Sequence, residues 1–189
     1  MSVYLNKTFM NRTSLMRMFI PFTMVMYFCL VVLNANAEIK SSHQSGNVTF
    51  SGQHAGMNFE GNFERWEATL ILPPQNNPSI TATFYMGYAK TGDSIYDSTL
   101  PEFDWFDVEN HPQGKFVSTQ ISITEDGYRV WGDLTLKNIT NPANFMLVDD
   151  GDILRASFDI NRLAYQIGTE SDPEAEWVSK TISISMLIK

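Results

Sequence analysis

Apolar residues recur at every second position through most of this 189-residue chain. The longest such run alternates with Thr81, Thr83 and Tyr85, and its apolar face consists of Ile80, Ala82, Phe84, Met86 and Tyr88. A period of two is the signature of a β-strand that buries one face and turns the other to solvent. The pattern therefore restricts the chain to folds that are built from half-buried strands.

Turn-forming residues separate these alternating segments. Pro73-Pro74 ends one strand, and Glu125-Asp126-Gly127 and Asp149-Asp150-Gly151-Asp152 connect others by short turns. About eight strands follow one another in this way, without an amphipathic helix long enough for a β-α-β unit. The sequence thus predicts an all-β protein, an antiparallel up-and-down β-barrel in which closure removes exposed strand edges.

Residues 93–110 interrupt the alternation with a cluster of acidic and aromatic residues. We predict a short helical insertion here, with aromatic side chains that pack onto the barrel. Phe103 and Phe106 are expected to close one barrel end. Asp97 and Asp107 are expected to cap the helical turns, because a carboxylate accepts the free N–H groups at a helix start.

The N-terminal segment has the features of a secretory signal peptide. Lys7, Arg12 and Arg17 precede an apolar stretch from Met18 to Leu33, and Asn34-Ala35-Asn36-Ala37 provides a cleavage site after Ala37. The alternative is a membrane anchor, but the stretch falls short of the roughly 20 residues that span a bilayer. We predict a cleaved signal peptide at 1–37 and a single domain at 38–189.

Charge and cysteine content exclude several classes of function. Cleavage after Ala37 would remove three of the 13 basic residues and none of the 21 acidic ones, which changes the net charge from −8 to −11. Such a charge disfavours nucleic acid and anionic membrane as partners. Cleavage would also remove Cys29, the one cysteine, and with it any disulfide, thiol nucleophile or cysteine metal ligand.

Four segments occur in a characteristic order along the predicted domain. They are Val48 to Trp66 with His54-Ala55-Gly56-Met57, Thr91 to Ser118 with Phe106-Asp107-Val108-Glu109, Gly132 to Pro142 with Gly132-Asp133-Leu134-Thr135-Leu136, and Ile160, Arg162, Tyr165 and Gly168. Together they resemble the YceI-like lipid- or polyisoprenoid-binding family over nearly all of residues 46–189. The chain departs from the family pattern at Lys137-Asn138-Ile139 and at Gln166.

The resemblance implies a lipocalin-like barrel whose tunnel holds a long isoprenoid or fatty chain. It also implies a bacterial protein in the periplasm or secreted, associated in some members with quinones or stress. The ligand would be a bound isoprenoid or quinone, and we predict no other cofactor and no membrane span after processing.

The residues expected to line the barrel share an inward position on their strands and an apolar side chain. They are Phe50, Phe63, Trp66, Phe84, Met86, Tyr88, Phe116, Leu134, Leu136, Phe158, Ile160, Ile184 and Met186. Alternation is equally compatible with a barrel filled by its own side chains, because an eight-stranded barrel is at the size where either arrangement occurs.

His54 and Arg162 are the candidate contacts for a lipid headgroup. In the structural alternative, His54 bonds a backbone carbonyl and Arg162 pairs with a carboxylate of the 97–109 segment. The acids between Glu102 and His111 have irregular spacing and match no calcium loop, so we predict no metal site.

We therefore predict an exported protein that binds a long apolar lipid for storage or transport. The sequence contains no G-x-S-x-G or H-E-x-x-H motif and no glycine-rich phosphate loop, so no catalytic residue is predicted. Two alternatives stay open. One is a filled barrel that meets a protein partner through its acidic face, and the other is an enzyme that acts on a quinone or lipid in the barrel.

Overall fold

The computed structural model describes residues 37–189, so the predicted signal peptide lies outside it except for Ala37. Eleven strands form one antiparallel sheet. They are Glu38–Ser42 (β1), Asn47–His54 (β2), Met57–Phe63 (β3), Trp66–Ile71 (β4), Ser79–Tyr85 (β5), Ala89–Lys90 (β6), Gln113–Thr124 (β7), Gly127–Leu136 (β8), Ile139–Asp149 (β9), Leu154–Asn161 (β10) and Thr181–Ile188 (β11). One α-helix, Ser94–Thr99 (α1), and two short 3-10 helices, Met86–Tyr88 and Arg162–Tyr165, complete the elements of this range.

The strand pairings lead round a ring. Strand β1 pairs with β4, and β2 pairs with β3. Together they form one long bent hairpin, in which β1 and β2 make up one arm and β3 and β4 the other. Its pairing extends from Glu38 opposite Ile71 to His54 opposite Met57. From β4 the pairings run through β5, β7, β8, β9, β10 and β11, and β11 pairs with β2. When β1 with β2 counts as one strand and β3 with β4 as another, the ring is an eight-stranded up-and-down barrel, as the sequence predicted.

The ring is weakest between β9 and β10. In the described part of the chain these strands pair at two positions, Leu154 with Asp149 and Arg155 with Val148. Beyond them no further ladder pairs are formed between these described strands, although Phe145 and Phe158 stand opposite each other three positions further on. Their rings stack at 5.1 Å with an interplanar angle of 20°. Side-chain packing thus replaces the hydrogen-bond ladder at this seam.

Large aromatic rings fill much of the barrel interior. Phe63 lies 5.4 Å, between ring centres, from both Phe50 and Phe84. Phe50 lies against Gly61 of the neighbouring strand, where a Cβ atom would collide with its ring. Aromatic pairs at such distances add stabilisation beyond the area that they bury. The buried hydrophobic residues of the described strands form one cluster.

The predicted helical insertion is confirmed, but its capping differs from the expectation. The cap of α1 is Asp93, whose carboxylate accepts the N–H groups of Ile95 and Tyr96 at 2.8 and 3.3 Å. Asp97 lies within the helix and accepts the N–H of Thr91 at 2.7 Å instead. Asp107 likewise does not cap a helix, because its carboxylate accepts from the Asn110 side chain. Between residues 37 and 189, no helix is long and apolar enough to cross a membrane.

Candidate functional site

Three spaces follow one another through the barrel. The mouth cavity, of about 290 Å³, lies beside α1, and the interior cavity, of about 90 Å³, lies within the sheet. Both are lined by Phe50, Phe59, Leu100, Trp105 and Val178. The floor cavity, of about 30 Å³, shares with the interior cavity Val48, Phe84, Leu134 and Phe158. Because neighbouring cavities share lining residues, they lie in a row from the mouth into the barrel, with the shared side chains between them.

Twelve of the thirteen residues expected to line the barrel lie on the walls of the interior or floor cavity. Those on the interior cavity are Phe50, Phe63, Phe84, Met86, Leu134, Leu136, Phe158, Ile160 and Ile184. Those on the floor cavity include Trp66, Phe116 and Met186. Their contact with a ligand stays a prediction.

The expectation for Tyr88 is wrong. Strand β5 ends at Tyr85, and the chain then turns through the 3-10 helix, so the alternation of β5 does not continue to residue 88. Met86 is still buried, whereas Tyr88 is 45% exposed. The Tyr88 ring lies 5.4 Å from the guanidinium of Arg65, outside the barrel.

The mouth is built largely from residues that the alternation did not indicate. Besides the five residues shared with the interior cavity, Ile95 and Tyr96 of α1 and Trp177 of the last long loop line the mouth cavity. Of the two aromatics expected to close a barrel end, Phe106 is buried on the interior cavity and Phe103 is 65% exposed. Trp105 takes the place that was expected for Phe103. The acidic and aromatic composition of residues 102–107 was the signal for this end of the barrel.

Arg162 lies at the border of the interior cavity, and its guanidinium is fully engaged. Its Nη2 donates to the Asp172 carboxylate at 2.6 Å, and the two side chains form a buried ion pair. The remaining acceptors are backbone carbonyl oxygens, those of Ile167, Gly168, Asp172, Val178 and Ser179. Arg162 therefore organises the chain around the mouth, and the engagement of all its nitrogens disfavours the headgroup contact for which it was a candidate. The salt bridge is formed, with a partner outside the 97–109 segment.

Asp172 anchors the loop that follows the second 3-10 helix. Its carboxylate accepts the N–H groups of Glu176, Trp177 and Val178 at 2.8, 3.2 and 2.8 Å. Burial by itself would raise the pKa of Asp172. The three N–H groups, with Arg162, outweigh burial and lower the pKa below the ordinary value. Asp172 is thus held as a carboxylate.

A second carboxylate joins the helical insertion to the same loop. Asp104 accepts the N–H groups of Glu170 and Ser171 and the Ser171 hydroxyl, at 2.8, 2.9 and 2.6 Å. Burial opposes ionisation, but these hydrogen bonds and the charge of Lys137 lower the pKa of Asp104. Asp104 and Asp172 together fix the loop against the mouth.

His54 lies at the end of β2 and lines the mouth cavity. Its Nδ1 is 2.6 Å from the hydroxyl oxygen of Tyr96 on α1. The partner is thus a side-chain hydroxyl and not the backbone carbonyl expected in the structural alternative. The contact of His54 with a lipid headgroup stays a prediction, and such a contact would involve both His54 and Tyr96.

The acidic residues of the insertion do not assemble into a metal centre. Within residues 37–189, no group of three or more histidine, cysteine, aspartate or glutamate side chains is arranged to hold a metal ion. Asp104 and Asp107 face different partners, since Asp104 bonds the loop and Asp107 lies 3.5 Å from Nε2 of His111.

An eight-stranded antiparallel barrel with a row of largely apolar cavities along its interior defines a lipocalin-like fold. More particularly, the chain belongs to the YceI-like domain family, whose sequence profile matches residues 38–189. The resemblance carried by the four sequence segments is thereby confirmed.

Individual relatives agree with this assignment. A UPF0312 protein of Photorhabdus laumondii is 30% identical over 124 residues, which cover 63% of this chain and 65% of that protein. The crystal structure of Burkholderia cenocepacia BcnA is similar with a TM-score of 0.69 at 23% identity, over 78% of this chain and 98% of that one. A polyisoprenoid binding domain from Saccharophagus degradans, implicated in plant cell wall breakdown, is similar with a TM-score of 0.60 at 10% identity, over 79% of this chain and 95% of that one. At these identities the two structures support the fold.

Proposed function

We propose that this protein binds a long apolar lipid, namely a polyisoprenoid, a quinone or a fatty chain, inside its barrel. The carrying observation is the row of three adjacent cavities from the mouth to the floor of the barrel, whose interior member has a largely apolar wall. The Saccharophagus domain of the same fold is described as polyisoprenoid binding, which supports a ligand of this class.

Burial of a hydrocarbon chain supplies the free energy of binding. Each buried CH₂ group contributes about 0.8 kcal/mol, so ten buried carbons contribute roughly 8 kcal/mol. Association costs about 4–15 kcal/mol in lost freedom, so a short chain binds poorly and a long one binds well. A ligand with a long unbranched or isoprenoid tail therefore fits this site better than a compact one.

The tail requires side chains to move. Pockets for small ligands have volumes of roughly 300 Å³ or more. The mouth cavity, at about 290 Å³, is close to this size, whereas the interior cavity has only about 90 Å³. Met86 and Met186 on the path are unbranched and adapt their shape readily. Rotation of these and of the neighbouring phenylalanines would join the three cavities into a tunnel.

We further propose that the protein acts outside the cytoplasm, as a periplasmic or secreted carrier. The predicted signal peptide at 1–37 supports export, and a water-insoluble cargo in an aqueous compartment needs shelter. The role is storage or transport of the lipid, with a connection to stress as in some family members. We propose binding without chemical conversion, since the described residues on the wall of the interior cavity include no nucleophile paired with a base.

Lipid extraction of the purified protein, followed by mass spectrometry, tests this function. The full chain is expressed in a bacterial host and the protein is purified from the export compartment. We expect a long-chain lipid in stoichiometric amount. An extract without lipid, together with no uptake of added lipid, would instead favour the filled barrel with a protein partner. Conversion of an added quinone or lipid would favour the enzyme.

A further inference from the structure

Polar side chains of the candidate site gather at its mouth. His54, Thr91, Tyr96, Thr99 and Ser171 line the mouth cavity, whereas the wall of the interior cavity is apolar except for Arg162. A lipid whose tail occupies the interior would leave its head among these side chains. The inference below rests on the proposed function and concerns the kind of head that this place accepts.

In the part of the chain that the structure describes, no lysine or arginine lines the mouth cavity itself. Lys90 precedes Thr91, which lines the cavity, and its charge acts on Asp97 of α1. Among the described residues, Arg162 is the one lysine or arginine on the walls of the mouth and interior cavities. It is 1% exposed, and all its nitrogens donate to Asp172 or to backbone carbonyls. Lys137, which reaches towards the insertion, is held by the carbonyl oxygens of Phe103, Asp104 and Gln166 at 3.0, 3.3 and 2.8 Å.

Two carboxylates lie at the mouth. Asp172 lines the mouth cavity, and Asp104 accepts from Ser171 on its wall. Glu170, Glu174 and Glu176 belong to the same loop. A phosphate or carboxylate that entered here would lose water without gaining a counter-charge, and burying an unpaired charge is far more costly than burying a neutral polar group.

The His54–Tyr96 pair provides the hydrogen bond that a neutral head needs. If the Tyr96 hydroxyl donates to Nδ1, the ring has its proton on Nε2, where it is able to donate. If Nδ1 donates to Tyr96, the hydroxyl proton is available instead. Within residues 37–189, Nε2 of His54 makes no hydrogen bond, since the bond to Tyr96 is made by Nδ1. In both tautomers the pair therefore has one donor for a carbonyl or hydroxyl oxygen.

We propose that the mouth selects lipids with an uncharged oxygen-containing head, such as an alcohol, a quinone or an ester, over lipids of the same chain with a phosphate or carboxylate head. Selection acts through the missing counter-charge more than through the single hydrogen bond. The tail determines whether a lipid binds, and the head determines which lipid of a given tail is preferred.

Titration with two lipids of one chain length tests the inference. Protein from the export compartment is stripped of lipid and titrated at neutral pH with geranylgeraniol and with geranylgeranyl monophosphate, below the concentrations at which either aggregates. Fluorescence of Trp105 and Trp177 in the mouth reports binding. We expect the alcohol to bind at least tenfold more tightly. Equal or tighter binding of the phosphate would overturn the inference and leave the proposed function intact, whereas binding of neither lipid would overturn the proposed function itself.

A matched pair of lysine variants separates the mouth from the general surface charge. Thr99 lines the mouth cavity, and Ser98 is exposed on the same helix and does not line it. We expect Thr99→Lys to raise the affinity for geranylgeranyl monophosphate at least threefold and Ser98→Lys to leave it nearly unchanged. An equal effect of the two substitutions, or no effect of Thr99→Lys in a folded protein, would contradict the inference.

Discussion

Phe145 of β9 and Phe158 of β10 stack face to face at 5.1 Å, at the place where the hydrogen-bond ladder of the barrel is interrupted. A barrel normally has no free edges, because each strand pairs on both sides. Here the two rings bridge the strands in place of backbone hydrogen bonds. The seam between β9 and β10 is thus the part of the wall with the least backbone pairing.

Amide hydrogen exchange should reveal this seam. Amides in residues 156–160 that point towards β9 are expected to exchange faster than amides of the same strand that point towards β11, because the latter are in a continuous ladder. Residue-resolved NMR exchange measures both sets in one protein. Equal protection on the two sides would show that the seam is closed in solution.

The stack itself should carry much of the stability of the seam. Truncation by Phe145→Ala removes a buried ring and is expected to lower the free energy of unfolding by about 3–5 kcal/mol. Chemical denaturation measures the change. As a control, Val117→Ala alters an exposed residue of β7 and should change stability by less than about 0.5 kcal/mol. A small loss in Phe145→Ala would mean that the stack does not hold the strands together.

Separation of the buried ion pair should destabilise the mouth strongly. Either Arg162→Met or Asp172→Asn leaves one buried group without its partner, which typically costs about 3–5 kcal/mol. The double variant should lose less than the sum of the two single losses, since neither charge is then left alone. Denaturant unfolding of the four proteins gives the coupling.

The exposed pair of Arg155 and Asp150 is the matched control. These side chains meet at 2.8 Å but are 50% and 52% exposed. We expect Asp150→Asn to change the free energy of unfolding by less than about 1 kcal/mol, because water screens a surface pair. Similar losses for Asp150→Asn and Asp172→Asn would refute the role assigned to the buried pair.

Stability should fall in acid because of Asp104 and Asp172. The pKa of each is lower in the folded protein than in the unfolded chain, so the folded protein binds fewer protons. Their contribution is therefore fully present above the ordinary carboxylate pKa of about 4 and is lost as the pH falls through the lowered values. Thermal unfolding between pH 7 and pH 2 should show this loss, and Asp104→Asn should make the pH dependence shallower. An unchanged dependence in Asp104→Asn would contradict the assignment.

Occlusion of the path should abolish lipid binding. Leu134 lies on both the interior and the floor cavity, so Leu134→Trp would fill the junction between them, at an overpacking cost of about 1–3 kcal/mol. We expect the affinity for geranylgeraniol to fall at least tenfold. The control Val117→Trp adds the same ring to an outward position of the neighbouring strand and should leave binding unchanged. Unimpaired binding in folded Leu134→Trp would place the lipid elsewhere.

Alternation along the strands was sufficient to predict the barrel and twelve of its wall residues, because a strand in a closed sheet turns every second side chain inward. It failed at Tyr88, where the strand had already ended. A two-residue period predicts neither the sizes of the cavities nor the interruption of the pairing between β9 and β10. These depend on how rings from distant strands, such as Phe145 and Phe158, fill the interior.

The mouth was predicted less completely, because it is formed largely by loops, which lack the two-residue period of a strand. Arg162 was identified as a candidate, but its partner Asp172 lies in a polar loop that gave no local signal. The two departures from the family pattern turn out to be in contact, since Lys137 donates to the carbonyl oxygen of Gln166 at 2.8 Å. Both residues adopt positive φ angles, 48° and 54°, which place them in turns at the mouth. Such a contact between distant turns follows from the tertiary structure alone.

The most direct test of the lipid-binding barrel is a high-resolution crystal structure of the protein purified from its export compartment without delipidation. We predict continuous density for a hydrocarbon chain that runs from the mouth cavity past Phe84 and Leu134 towards Trp66, with Met86 and neighbouring rings turned aside. A barrel whose interior is occupied by its own side chains, both as purified and after incubation with excess geranylgeraniol, would contradict the account.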